Sequence, residues 1–550
     1  MDVVLVGLPG SGKSAVARRL AKHHGAQLVD LDESIESLAG RPIPDIFAAE
    51  GEAGFRSHER DAIARLGPAD ETPAVHRVIS TGGGAVVDPR NRWVLYRDRL
   101  PVWLSVRPEI AAQRLRRSHV ERPLVAGRDP IGAVRALAAA RERFYAAGVE
   151  VDGHAEVASV VRQVEHAIEG RRTQGAGQGT ALLRARTRIG DIVLGDGIAA
   201  TEIARVLDGL GRRRTVVLSE PGAWSIVGED LLAALRRSAL AVDVVLLPQG
   251  EPAKRLSIVE SVARELARLR VERSDVIVAV GGGALGDTAG FVAATWLRGV
   301  RIVHLPTTLV AQIDSSIGGK TAVDLPEGKN LVGAFHQPQA VVADVSLLRT
   351  LPERETRAAL GEAVKMAVLG DERLFELLEE RGEELATGAE SAFASGAVAE
   401  LVERCAWAKV EVVAADEREV GSAGGRIALN LGHSLGHAVE AAGGYEDLRH
   451  GEAVAFGLRA AVGLGRSLGI TPDARAGRIL ALLERLGLGR GVLPYSPEAV
   501  RAALVADKKH AGGRLRWVLP DETGVVVRDD VSDELVEAAI ADLVGAEVAA

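Results

Sequence analysis

Short apolar runs alternate with amphipathic stretches through the first third of the chain. "DVVLVG" from Asp2, "RVIST" from Arg77 and "PVWLSV" from Pro101 have the length of buried strands, while Lys13 to His23 and Pro130 to Ala146 carry helical spacing. Strands alternating with helices predict an α/β unit built on a parallel sheet. Between Glu169 and Thr180 the text "EGRRTQGAGQGT" loses apolar periodicity and turns to Gly, Gln and Arg, which predicts a flexible linker, placed at 170–182. After it, "TVVLSE", "AVDVVLLP", "DVIVAVGGG" and "VRIVHLPTT" are strands separated by helical stretches, predicting a second, Rossmann-like α/β unit over 183–345. Beyond Leu347, long Ala/Leu/Glu segments with helical spacing predict a mostly α-helical unit over 346–550.

A chain of 550 residues exceeds what one core supports, in line with this division. Aromatic residues make up only 3%, so Ala, Val and Leu must fill the interior. The formal charge of −8 argues against a broad nucleic-acid surface and leaves room for local basic clusters facing small anions. Cys405 is the only cysteine, which excludes an internal disulfide framework and fits a reducing compartment. The N-terminal apolar run is too short for a signal or membrane segment and has no cationic start, so the cytoplasm is the expected location.

Two triple glycines stand out, in "STGGGAVVD" (Ser80 to Asp88) and "AVGGGALGD" (Ala279 to Asp287). Each follows a strand, but their neighbours share little and no other correspondence links the two halves, so a tandem repeat is not expected.

"GLPGSGKS", Gly7 to Ser14, lies between a strand and a helix and fits the phosphate-loop pattern. Backbone N–H groups of Gly10, Ser11 and Gly12 turn toward phosphate oxygens, Lys13 supplies a cation to the β/γ region, and the Ser14 hydroxyl suits Mg²⁺. Downstream, Asp30 and Asp32 in "VDLDESIE" stand two apart at a strand end, sharing a face for metal contact and hydroxyl activation, although such a pair also serves as a helix cap. "GEAGFR", "TGGGAV", "ERPL" and "RERFY" follow in order, and with the loop and the aspartates they resemble shikimate kinase across Met1 to Glu169. The resemblance implies that Asp32, Arg56, Gly82, Gly83, Gly84 and Arg141 hold shikimate, with Asp32 close to the attacking hydroxyl, and that Arg122 lies on a lid over the phosphates of Mg-ATP. Arg56 and Arg141 suit a carboxylate, whereas an arginine taken alone is most often a solvated surface cation. Leu31 stands where that family often has a small polar residue, which separates Asp30 from the firmer role of Asp32.

In the second half, "DVIVAVGGGALGDTAG" runs from a strand through glycines into a helix, as pyrophosphate sites do, but its spacing is not G-x-G-x-x-G and a purely structural turn fits equally. Glu362 opens a helical stretch, His433 and His437 stand four apart, and His450 follows a turn. A glutamate with two histidines and open positions suits catalytic zinc, and three histidines so close could equally be core or surface residues. "PQGEPAK", "LPTTLVAQIDSSIGGKTAVD", "GKNLVGAF", "GEAVKMAVL", "VVAADERE", "LNLGHSLGHAVEA" and "HGEAVAFG" together resemble 3-dehydroquinate synthase over Leu183 to Leu543.

That resemblance implies Glu362, His433 and His450 as ligands of zinc or cobalt, with His437 in the substrate pocket. It implies a polar pocket of Arg298, Lys320, Lys329, Asn330, Lys365, Lys409, Arg426 and Asn430, with one further cation from Lys508 and Lys509. For NAD⁺ it implies Glu251, Lys254, Gly282, Gly283, Asp287, Thr307, Thr308 and Asp314, joined by Lys320 and Lys329. The implied reaction converts 3-deoxy-D-arabino-heptulosonate 7-phosphate to 3-dehydroquinate and phosphate, with NAD⁺ taking a hydride and returning it, and homodimers form through this half. The alternatives are a related sugar-phosphate cyclase or metal-dependent polyol dehydrogenase for the second half, and a non-catalytic nucleotide-binding regulator for the first. Retention of Lys13, Asp32, Arg56 and Arg141 together argues against the regulator.

Overall fold

In the computed structural model the described residues are 1–69, 72–117, 129–174, 179–211, 214–238, 240–418, 425–510 and 515–545, with the side chains of 507–510 left aside. Two compact units form, one of Met1–Arg186 with Ile192–Ile198, the other of Thr187–Asp191 with Ala199–Ala550.

The first unit is a five-stranded parallel sheet of β1 (Asp2–Val6), β2 (Gln27–Asp30), β3 (Arg77–Ser80), β4 (Leu100–Ser105) and β5 (Val149–Asp152), in the order β2-β3-β1-β4-β5. Every residue of β1 is buried, which suits a central parallel strand covered on both faces. Val3 and Leu5 pack with Val16 and Leu20 of helix Lys13–His24 and with Val160 and Val164 of helix Val157–Gln174. The switch of strand order at β1 puts the loop after β1 at the carboxyl edge of the sheet, the usual ligand-binding edge of such folds.

An antiparallel hairpin of β6 (Thr180–Ala185) and β7 (Asp191–Asp196) falls largely within this first unit, where Arg184 Nη1 donates to the carbonyls of Ala146 and Ala147 at 3.0 and 2.8 Å. The predicted linker is therefore shorter than 170–182. Residues 170–174 continue helix Val157–Gln174, β6 starts at Thr180, and 175–178 lie outside the described residues. Hydrophilic residues at a helix end give no apolar signal, so a solvated last turn and a linker read alike.

The second unit has a parallel sheet of β8 (Arg214–Ser219), β9 (Ala241–Leu246), β10 (Val276–Gly281), β11 (Arg301–Pro306) and β14 (Ala340–Asp344), running β9-β8-β10-β11-β14. Between the last two in sequence lies an antiparallel hairpin of β12 (Lys320–Leu325) and β13 (Gly328–Phe335). Helices then dominate from Glu353 to His510, followed by a hairpin of β15 (Trp517–Pro520) and β16 (Val525–Arg528) and a last helix, Asp533–Leu543. The α/β and helical parts, expected as separate units, share one compact unit. The reason is visible in their packing: helix Ala397–Ala415 lies against the π-helical turn Ala311–Ser315 that follows β11.

Candidate functional sites

In the first unit the phosphate loop links β1 to helix Lys13–His24. Gly10 and Gly12 have φ of 81° and 98°, and a Cβ at Gly10 would stand 2.5 Å from the Ala111 carbonyl oxygen, so this turn needs glycine. Lys13 Nζ donates to the carbonyls of Gly7 and Leu8, both at 2.9 Å, which arches the side chain back over the loop. Ser14 Oγ stands 3.3 Å from Ser80 Oγ at the end of β3.

Asp30 and Asp32 do not sit as alternate residues of a strand. Asp30 caps helix Leu31–Ala39 by accepting from the Asp32 N–H at 3.1 Å, and Asp32 belongs to the first turn. A cap side chain competes with strand continuation, and here the cap wins. Asp32 Oδ1 lies 3.2 Å from where a Gly82 Cβ would be, and a Gly84 Cβ would stand 2.6 Å from Arg56 Nη2. Arg141 donates to the Gly83 carbonyl at 3.0 Å, so the triple glycine brings Asp32, Arg56 and Arg141 to one place. Glu59 and Tyr145 were not foreseen. Glu59, 2% exposed, accepts from Arg56 Nη1 at 2.8 Å, and Tyr145 donates to the same Gly83 carbonyl. Burial pushes the Glu59 carboxyl up against the pull of Arg56 and Arg141, with Asp32 adding to the rise. The i, i+3 spacing of Arg56 and Glu59 was the signal for that pair. Arg122 lies outside the described residues.

In the second unit, helix Gly283–Thr295 starts directly after β10, and its first turn lies beside Thr307 and Thr308, which follow β11. Cβ atoms at Gly282 and Gly283 would stand 3.2 Å from Thr308 Cγ2 and 2.9 Å from Ser315 Oγ. Glu220, at the end of β8 and also not foreseen, accepts from the N–H groups of Gly282 and Gly250 at 3.2 and 3.0 Å. An acidic residue closing the neighbouring strand was its only sequence signal. Lys254 pairs with Asp287 at 2.8 Å and donates to Asn330, whose backbone is left-handed with φ 58°. Burial lowers the affinity of Lys254 for its proton, yet Asp287 outweighs it and holds the pKa above its ordinary value.

Three helices meet at the histidines. Glu362, fully buried on helix Glu353–Val368, has Oε1 3.5 Å from His433 Nε2 and 3.1 Å from His450 Nε2, while Lys365 pairs with its other oxygen. Neither carboxylate oxygen completes a hydrogen bond of good geometry. His433 Nδ1 lies 3.1 Å from the Leu431 carbonyl and His450 Nδ1 lies 3.3 Å from Glu440 Oε2. Each ring is thus anchored through Nδ1 and turns Nε2 toward Glu362, the arrangement that outer hydrogen-bond partners give to metal-binding histidines. His437 is exposed, with its ring 5.1 Å from His433 and 5.7 Å from His450.

Charge agrees with a cation here. Burial, helped by Lys365, pushes His433 down to about 3, which leaves it a neutral donor. Burial opposes ionisation of Glu362, but Lys365, His433 and His450 hold its carboxyl well below the ordinary range. Burial likewise opposes charge on His450, and the adjacent carboxylates of Glu362 and Glu440 lift it to about 10. Two carboxylates around one imidazole call for positive charge at this point, which a divalent ion would satisfy.

Close backbone contact lets the carboxylate and His450 meet. A Cβ at Gly361 would stand 2.1 Å from the Gly451 carbonyl oxygen, and one at Gly451 would stand 1.9 Å from that of Ala358. Gly451→Ala is therefore expected to push helix His450–Ser467 off its neighbour, destabilising the unit by about 1–3 kcal/mol or more in urea unfolding.

Around this centre, Lys409 pairs with Asp314 at 2.8 Å and Lys365 lies 3.9 Å from the same carboxylate. Lys329 joins Glu440 at 2.9 Å to Glu251 at 3.1 Å. Arg426 is 2% exposed and donates to the Gly318 carbonyl at 3.1 Å, beside Asn430 on the same 3₁₀ turn. Lys320 is exposed at the start of β12. Arg298 is exposed in the left-handed conformation and, among the described residues, makes none of the ion pairs that join the others. The side chains of Lys508 and Lys509 lie outside the described residues.

Comparison with known proteins bears on both halves of the chain. The family model for shikimate kinase matches residues 9–169, and those for the N-terminal and C-terminal parts of 3-dehydroquinate synthase match 244–358 and 359–510. A 3-dehydroquinate synthase of Synechococcus sp. (strain CC9605) is 43% identical over 350 residues, covering 62% of this chain and 92% of the relative. That of Symbiobacterium thermophilum is 45% identical over 330 residues, covering 59% and 89%. Among solved structures, a 2-epi-5-epi-valiolone synthase from Streptomyces hygroscopicus subsp. jinggangensis 5008, with NAD⁺ and Zn²⁺ bound, matches with a TM-score of 0.59 and 30% identity over 65% of this chain and 97% of that one. These likenesses do not favour the dehydrogenase or the regulator. Among the described residues no helix is long and apolar enough to cross a membrane. The chain belongs to the 3-dehydroquinate synthase family and carries a shikimate kinase domain ahead of it, an enzyme with both activities.

Proposed function

We propose that the two clusters described above are the active sites of these activities and that the chain works as a cytoplasmic homodimer associated through its synthase part. In the kinase, N–H groups of Gly10 to Ser14 hold the phosphates of ATP, Lys13 offsets charge developing on the transferred group, and Ser14 holds Mg²⁺. Arg56 and Arg141 bind the shikimate carboxylate, Glu59 keeps Arg56 aimed, and Asp32 accepts the proton of the attacking hydroxyl.

In the synthase, Glu362, His433 and His450 would hold zinc or cobalt, and the glycine turn with Glu251, Lys254, Asp287, Thr307, Thr308 and Asp314 would hold NAD⁺. When bound, the metal polarises a carbinol oxygen and NAD⁺ accepts and returns a hydride. Lys365 and Lys409, paired with the buried Glu362 and the half-buried Asp314, present ammonium groups to an anionic substrate without excess local charge. Lys320, Lys329, Asn330, Arg426 and Asn430 complete the recognition of its carboxylate and phosphate, with Arg298 reaching a site from its exposed turn. His437, exposed beside the two anchored rings, exchanges a proton with substrate.

The observation that carries this reading is the convergence of two anchored Nε2 atoms on one buried carboxylate. It is tested with the full chain, NAD⁺ and zinc, by following phosphate release from 3-deoxy-D-arabino-heptulosonate 7-phosphate together with absorbance of NADH. Phosphate release without accumulating NADH is expected. Steady NADH production would transfer the second site to the dehydrogenases.

A further inference from the structure

We infer that Glu440 is a positioning residue that locks His450 as a metal ligand and ties it to the substrate-side cation Lys329. This rests on the metal reading above and adds a residue to it. Glu440 lies on helix His433–Ala442, three residues beyond His437, and is 5% exposed. Its Oε2 accepts from His450 Nδ1 at 3.3 Å and its Oε1 from Lys329 Nζ at 2.9 Å.

The first contact fixes the ring of His450 with its Nε2 facing Glu362 Oε1 at 3.1 Å. His433 reaches the same result with a backbone acceptor, the Leu431 carbonyl. A carbonyl fixes tautomer and orientation, whereas a carboxylate makes the ring a still stronger donor to a metal and keeps a second oxygen for another partner. Here that partner is Lys329, which continues to Glu251 at 3.1 Å and lies over the Tyr445 ring, 4.6 Å from its centroid. One buried carboxylate thus joins a metal ligand to a cation that also touches the cofactor-side group. A buried carboxylate held by an imidazole N–H and an ammonium group is left partly unpaired when either partner is lost. Losing it would free His450 to rotate and leave Lys329 drawn toward Glu251 alone, so metal affinity and substrate affinity should fall together.

The test uses the full-length chain stripped of metal and titrated with Co²⁺, following the visible absorption of the bound ion in competition with a chelator. Glu440→Gln has the same shape but cannot accept at both ends. It is expected to weaken cobalt binding by roughly 10- to 100-fold, to alter the cobalt spectrum, and to raise KM for the heptulosonate phosphate. Glu440→Asp keeps the charge with a shorter reach and is expected to recover part of each loss. Should the glutamine variant fail to fold by circular dichroism, the aspartate variant supplies the same comparison. Wild-type cobalt affinity and spectrum in folded Glu440→Gln would overturn the positioning role. A wild-type chain that takes up no cobalt, or a His433→Ala chain that retains it, would instead overturn the metal reading on which the role depends.

Discussion

His433→Ala is expected to abolish phosphate release from 3-deoxy-D-arabino-heptulosonate 7-phosphate while leaving phosphorylation of shikimate at its wild-type rate. His433 offers one of two anchored Nε2 atoms facing Glu362, at 3.5 Å, and burial keeps it neutral, ready to donate a lone pair. A Lewis-acid metal contributes several kcal/mol of transition-state stabilisation, and each 1.36 kcal/mol is a factor of ten, so the loss should reach roughly a thousandfold. The kinase is unaffected because its site lies in the other compact unit. Continuous phosphate and ADP assays on one preparation measure both rates. A synthase rate within about tenfold of wild type would remove His433 from the ligand set, since a lost ligand should cost more than this.

Lys13→Met should give the mirror image. The lysine stem is buried and methionine keeps most of that apolar volume, but the ammonium group and its hydrogen bonds to the Gly7 and Leu8 carbonyls are lost. Removing a charge-stabilising donor from a phosphoryl-transfer site costs on the order of a hundredfold or more in kcat. Shikimate phosphorylation should fall by that factor while phosphate release by the synthase stays unchanged. Equal kinase rates in wild type and variant would mean that the Lys13 ammonium group takes no part in the transfer. Together the two variants separate the activities on one chain, each serving as the folding control for the other.

What the sequence by itself determined is the chemistry held in contiguous residues. The phosphate loop is one local backbone conformation, so Gly7 to Ser14 specify it through their own spacing. Helices and strands with strong periodicity were legible for the same reason, as was the change from α/β to mostly helical structure near Leu347.

Tertiary structure alone decided what depends on residues distant in the chain. Asp30 became a cap because the helix begins at Leu31, a competition between strand and cap that the spacing of two aspartates leaves open. Tyr145, Glu220 and Glu440 gain their place only when packing brings the Gly83 carbonyl, a glycine turn or an imidazole to them. Three nearby histidines gave no way to choose the pair whose Nδ1 atoms are anchored, because the anchors, the Leu431 carbonyl and Glu440, act through three-dimensional orientation. The approach of Gly361 and Gly451, which lets Glu362 and His450 meet, is a contact between backbones, and a backbone contact leaves in the sequence only the absence of a side chain.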